Sequence, residues 1–288
     1  MSSATQASVR PRRRLIGSLD WLSRASVVVL VVLIVATVAA RWFGLGGDPT
    51  ETVGPRLTPP GSGYPLGTDS LGRSLLPRLL EGIGTTLLLS SIAVVVTAVV
   101  STAMGILAGY HGGRTNEALM RLVDVLYSFP TIVLAILVAA MLGPGRPAAM
   151  ASIVLVTVPL MTRMVSASAR SVAQRYFVTA AVISGVPTYR ILLRHILRNV
   201  SGTIAVQGTY ALSVGILVEG VLSFLGYGVQ LPGASLGLLI QEGNLYMVTA
   251  PWLIVTPGVV LVVAILAINL IGDGLRDRFE PREVRSLV

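Results

Sequence analysis

The chain has 288 residues, 53% hydrophobic and only 12% charged. Soluble domains carry about 25% charged residues, so a water-solvated globular fold is excluded at once. All 22 basic residues are arginine and the net charge is +9, but they flank apolar runs, which argues for a membrane and against nucleic acid as partner.

Residues 1–24 are polar and carry Arg10, Arg12, Arg13, Arg14 and Arg24, and they read as a cytoplasmic basic tail. A first transmembrane helix is expected over 25–43, with its apolar run at Ala25–Ala40 and with Trp21 and Trp42 as interfacial anchors. Arg41-Trp42-Phe43 follows that run where a cleaved signal peptide would have small residues, so the span is read as retained. Its 16 apolar residues rise about 24 Å, slightly short of a bilayer core, and the flanking arginines must snorkel. Residues 44–82 form an extracytoplasmic loop rich in Pro and Gly, in which Asp69 and Arg73 are placed for an ion pair.

A core over 83–272 is expected to hold five further spans. The second lies in Gly82–Tyr110, where Gly105 and Gly109 are four apart and small enough for close helix packing. The third is Val125–Leu142, with a kink at Pro130, and the fourth is Pro147–Thr162. The fifth is Ser201–Val218 and the sixth lies in Met247–Gly272. Between these last two, Gly220–Gln241 is uncharged but broken by Gly and Pro, which suggests a short re-entrant or surface helix at the outer face. Residues 273–288 form a cytoplasmic tail. Placing the N-terminus inside assigns 17 arginines to inner segments and five to outer ones, which fixes the expected topology.

Ser171–Asn199 then falls on the cytoplasmic side. The Gly185-Val186-Pro187 break divides it into two short helices, because Pro187 cannot continue the first. Thr188 is the expected N-cap of the second. Arg190, Arg194 and Arg198 are spaced to share one helical face. Two readings stand: a docking element for a cytoplasmic partner, or arginines placed there by positive-inside bias alone.

Thr179-Ala180-Ala181, Gly185 and Ile196-Leu197 resemble the EAA loop of ABC-importer permeases, although Thr179 stands where that family usually has Glu and Arg198 where it has Pro. Tyr64–Arg73, containing Gly67, Thr68, Asp69, Gly72 and Arg73, resembles the PLGTDxLGRDxxSR signature of the oligopeptide/dipeptide (peptide/nickel) subfamily, C-type permease, although Ser74 stands where Asp is common and Pro77 where Ser is common. Met120–Pro130, Glu219–Gly226 and Asp273–Arg282 are similar to further stretches of that subfamily, in the same order.

The resemblance implies an all-α membrane protein with six transmembrane helices and a cytoplasmic coupling-helix loop, the type I ABC importer permease fold. It implies a second homologous permease subunit, two ABC ATPase subunits, an extracytoplasmic substrate-binding protein and a bacterial cytoplasmic membrane. The chain would form half of a pathway for di- or oligopeptides. Its coupling loop would use Thr179, Ala180, Ala181, Gly185, Pro187, Arg190, Arg194 and His195. Candidate residues at the outer mouth are Glu219, Phe224 and Glu242. For Glu219 the other reading is an ion pair with a loop arginine such as Arg73 or Arg78.

No Gly-x-x-x-x-Gly-Lys-Ser/Thr loop is present and the chain has no Lys, so ATP hydrolysis would fall to partner subunits. The chain has no Cys, and its two histidines, His111 and His195, lie far apart, so no catalytic residue, metal ligand or cofactor is expected. Nickel, glycoside or haem cargo is the nearer alternative. A stand-alone channel or secondary transporter is the distant one, disfavoured by the lack of ionisable groups at span centres.

Overall fold

The computed structural model describes residues 14–44, 46–61 and 63–279. The basic tail's Arg10, Arg12 and Arg13, and Glu280–Arg282 of the C-terminal motif, lie outside the described residues. The architecture is all-α. Helix α1 is Arg14–Phe43, α2 is Leu75–His111, α3 is Gly113–Tyr127, α4 is Thr131–Leu142 and α5 is Arg146–Ala173. Helix α6 is Tyr176–Ile183, α7 runs continuously over Thr188–Phe224, α8 is Leu236–Asn244 and α9 is Trp252–Phe279. Five of these are long and apolar enough to cross a membrane, and α3 with α4 makes a sixth if the bent pair counts as one span.

Helix α2 is the hub. Its buried residues Ala93, Thr97, Ser101, Gly105, Ala108 and Gly109 recur every three or four positions, so a small-residue stripe faces α5. A Cβ on Gly105 would stand 2.8 Å from Val165, and one on Gly109 would stand 2.5 Å from the Ser166 carbonyl oxygen. Only the missing side chains let the two backbones meet. Hydroxyls add polar links: Thr97 and Thr157 are 2.8 Å apart, and Ser101 donates to the Val158 carbonyl at 3.2 Å. Both links reach the turn of α5 that holds Pro159.

The third expected span is broken more sharply than a kink. Helices α3 and α4 meet at 89° across Ser128-Phe129-Pro130. Pro130 sits at the N-cap of α4, and a residue before proline leaves the α region, so α3 stops ahead of it. The 12 residues of α4 rise only about 18 Å. Helix α3 is amphipathic and mixed in polarity; Asp124 pairs with Arg163 of α5, whose guanidinium lies 4.7 Å from the Tyr127 ring.

Helix α1 runs along α9 and α2 and is tied to α9 by the Ser23 hydroxyl, which donates to the Leu270 carbonyl at 3.0 Å. Most of its apolar residues, such as Val28, Val32 and Val35, are exposed, as are Val95 and Val99 of α2. These are surfaces suited to lipid, where only helices with internally satisfied backbones are tolerated. The expected short helix near residues 220–241 is present as α8, but it starts only at Leu236, because α7 continues unbroken to Phe224. A loop with a cis Leu231–Pro232 bond separates the two.

Candidate functional site

The two ends of the bundle carry the sequence motifs. At one end, α6 closes with a Schellman turn. The Val186 N–H donates to the Ala181 carbonyl at 3.1 Å and the Gly185 N–H to the Val182 carbonyl at 3.0 Å. Gly185 has φ +74°, the left-handed conformation this turn demands. Pro187, not Thr188, occupies the following N-cap position, with extended backbone, and Thr188 is already helical. The proline needs no N–H partner there, which is why it displaces the threonine by one position.

The root of α7 is π-helical over Ile191–Ile196, and the Leu197 N–H bonds five residues back to the Leu192 carbonyl. Ile191 and Ile196, five apart, are therefore both fully buried, and Val200 follows them into the core. The wider turn also breaks the four-residue register that was to align Arg190, Arg194 and Arg198. All three are exposed, but they do not form a straight α-helical stripe.

Val178, Ile191 and Ile196 anchor this stretch against Ile106 of α2 and Val165, Ala169 and Val172 of α5. Ala181 packs at the edge of the same cluster, whereas Thr179 and Ala180 are exposed. His195 is half-buried, with its ring 6.2 Å from that of Phe177. Facing away from the anchor are Tyr176 (94% exposed), Ile183 (81%), Leu193 (64%) and Tyr189 (61%). These exposed apolar side chains are interleaved with the exposed Arg175, Arg190 and Arg194.

At the opposite end, the 44–74 loop is locked to the helices by four charged groups. Asp69 accepts from Arg73 Nε at 2.7 Å and from Arg78 Nη1 at 2.9 Å. Arg78 also donates to Glu242 of α8 at 2.7 and 3.3 Å, and Arg73 reaches Glu242 at 3.5 Å. Asp69 further accepts from the Leu71 and Arg73 N–H groups, and the Thr68 hydroxyl donates to the Pro55 carbonyl at 2.7 Å. Gly67 and Gly72 close turns onto Tyr64 and Asp69 through their N–H groups. The expected Asp69–Arg73 pair is thus present, but as part of a cluster that includes Arg78, which is 1% exposed.

Glu219 takes no part in that cluster. The suggested pairing with Arg73 or Arg78 is replaced by their bonds to Glu242 and Asp69. It lies inside α7, which continues five residues beyond it, and is fully buried. Its carboxylate accepts from the Thr86 hydroxyl of α2 at 2.8 Å and from the Ser223 hydroxyl at 2.6 Å. Thr86 in turn accepts from the Leu236 N–H at the start of α8, and Ser223 from the Val229 N–H in the connecting loop. One carboxylate therefore orients two hydroxyls that cap two backbone donors. Phe224, one turn on, is 36% exposed.

A family model described as the binding-protein-dependent transport system inner membrane component matches residues 101–285. The chain belongs to this family of transport-system permeases. A putative peptide transport system permease protein of Brucella suis is 38% identical over 259 residues, covering 90% of this chain and 87% of that protein. The di/tripeptide transport system permease protein DppC of Pseudomonas aeruginosa is 36% identical, covering 78% and 77%. The oligopeptide transport system permease protein OppC of Haemophilus influenzae is 34% identical, covering 90% and 84%. Among solved structures, the MetNI methionine ABC transporter in an inward-facing conformation aligns with a TM-score of 0.58 at 18% identity, over 71% of this chain and 97% of that one. That likeness is one of fold.

Three features of this permease were not read from its sequence. The exposed apolar face of Tyr176, Ile183, Tyr189 and Leu193 was hidden because the arginines dominate that stretch. The Arg78–Glu242 pair spans 164 positions and leaves no local pattern. The Thr86–Glu219 bond spans 133, and only an uncharged span that admits a threonine hinted at it. Among the described residues no group of acidic, cysteine or histidine side chains is arranged to hold a metal ion.

Proposed function

We propose that this chain forms half of the translocation pathway of an ABC importer for short peptides. A second, homologous permease subunit completes the pathway. Two ABC ATPases, which hydrolyse the ATP, dock at the α6 end on the cytoplasmic side. A substrate-binding protein delivers cargo to the α8 end on the outer side, and both termini lie in the cytoplasm. The observation that carries the reading is the α6 surface. Tyr176, Ile183, Tyr189 and Leu193 are exposed on an element whose other side is anchored in the core by Val178, Ile191 and Ile196. Such a stiffly held apolar knob is suited to a groove in a partner protein. The peptide assignment is supported by relatives named as peptide, di/tripeptide and oligopeptide permeases.

The mechanism follows from the anchoring. ATP-driven closure of the ATPase pair displaces α6 and the π-helical root of α7, and α7 carries that displacement toward α8 as a rigid-body motion. The test is co-purification after gentle detergent extraction, followed by ATP turnover and peptide uptake in liposomes. Recovery of two Walker-type ATPases and a second permease, with turnover raised by peptide plus binding protein, is the expected result. A complex that forms but ignores peptides would redirect the cargo to metals, glycosides or haem. Solute movement by this chain alone without ATP would overturn the proposal.

A further inference from the structure

A cleft of about 280 Å³ opens between α5, α7 and α9. Leu160 and Met164 of α5 form an apolar wall, and Gln207 and Tyr210 of α7 face Asn269 of α9 across it, with Asp273 and Arg276 at its α6-end rim. The floor is a close α7–α9 approach, where a Cβ on Gly272 would stand 2.5 Å from the Thr209 hydroxyl. The depth follows from helix rise. Tyr210 lies about 21 Å from the Phe224 end of α7, and Asn269 about 25 Å from the Trp252 end of α9. Both fall within a hydrocarbon core about 30 Å thick.

Among the described residues, the side chains of Gln207, Tyr210 and Asn269 make no hydrogen bond, although Tyr210 and Asn269 are exposed. Polar groups at that depth without partners are costly against lipid, so this face meets something polar. The chemistry is specific. Two carboxamides each present one acceptor and two donors, the same groups that a peptide main chain needs in return. A phenol adds a third polar contact. Met164 supplies an unbranched, adaptable apolar surface of the kind that accepts side chains of different shape.

We propose that this cleft is a main-chain contact site for a short peptide in transit, reading its amide groups and leaving its side chains against Leu160 and Met164. The inference rests on the peptide-importer reading above and adds the place and the residues.

The chain contains no Cys, so single-cysteine variants report without background. Tyr210→Cys, Asn269→Cys and, as a lipid-facing control, Val99→Cys are assembled with the partner permease and ATPases in liposomes. They are exposed to a water-soluble maleimide with and without tri-alanine and ATP. The expected result is labelling of the first two and not the third, slowed about threefold at a peptide concentration giving two-thirds occupancy. Asn269→Leu is expected to lower tri-alanine uptake about tenfold, and Asn269→Gln to restore most of it. Labelling that ignores peptide, or no labelling, together with normal uptake by Asn269→Leu, overturns the cleft as a peptide site while the peptide-importer reading stands. Absence of tri-alanine uptake by the unsubstituted complex removes the peptide reading, and the ligand of the cleft with it.

Discussion

The carboxylate of Glu219 in α7 accepts a 2.8 Å hydrogen bond from the Thr86 hydroxyl of α2, and that same hydroxyl accepts from the Leu236 backbone N–H that opens α8. Three helices thus converge on one buried acid. Ser223 repeats the arrangement toward the Val229 N–H. Each hydroxyl can cap its backbone donor without stranding its own proton only because the carboxylate takes that proton's bond.

Replacing Glu219 by Leu leaves both hydroxyl protons without an acceptor in a buried site. The expected destabilisation is about 2–4 kcal/mol, against about 1–2 kcal/mol for Glu219→Gln, which keeps one acceptor. Thermal unfolding of the detergent-purified complex checks this. Equal melting temperatures for the two variants would contradict the arrangement.

Arg78 is nearly fully buried and joins Asp69 to Glu242. Removing one member of a buried cluster strands the others, so Arg78→Ala is expected to lose about 3–5 kcal/mol. Adding Glu242→Ala to it should cost less than Glu242→Ala alone, because the carboxylate has already lost its main partner. A double-mutant cycle on unfolding free energy measures this, and strict additivity would argue against a cooperative cluster.

Helix α2 contains an internal control for its contact with α5. At Gly109 a Cβ would meet the Ser166 carbonyl oxygen at 2.5 Å, whereas at Gly84 the nearest atom is Thr37 Cβ at 3.5 Å. Gly109→Ala is expected to destabilise by about 1–3 kcal/mol and Gly84→Ala to be tolerated. Folded yield and melting temperature of the two variants decide the matter.

Gly185 tests the α6 turn by backbone conformation alone, since no atom lies within 4 Å of an added Cβ. Its φ of +74° makes most side chains cost about 1–2 kcal/mol there. Gly185→Arg is expected to insert and fold yet lose substrate uptake, while Gly185→Asn, which tolerates this conformation, keeps much of it. Normal uptake by the arginine variant would sink the coupling role.

Ile183 tests the same surface through its side chain. At 81% exposure, Ile183→Asp should leave the melting temperature of this subunit unchanged. Recovery of the ATPases in co-purification should fall at least about tenfold, as expected when a desolvated apolar contact is replaced by a charge. Undiminished recovery would place the docking surface elsewhere.

Much of this molecule was legible in its sequence, for physical reasons that differ by element. The long spans announce themselves because about 20 apolar residues in a row have few other uses. Gly105 and Gly109 announced a close helix contact, though not its partner α5, because a four-residue spacing of small residues survives in any α-helix. The break at Gly185-Val186-Pro187 was readable because its cause is local. The failures share the opposite property. The π-turn at Ile191–Ile196 follows from the need to bury two isoleucines five apart, a tertiary demand that overrides the four-residue arginine spacing. The ion pair offered for Glu219 fails for the same reason: its actual partners are two hydroxyls, one a turn further on and one on another helix, which leave no local pattern.

Helix α7 is unbroken from Thr188 to Phe224, 37 residues or about 55 Å of rod. Its root sits in the cluster behind α6 and its far end holds the acid that gathers α2 and α8. Geometry alone then amplifies small events. A tilt of roughly 5° about the root sweeps the Phe224 end by about 5 Å, on the scale of one helical turn. A partner that nudges one tip therefore has a long baseline to work with.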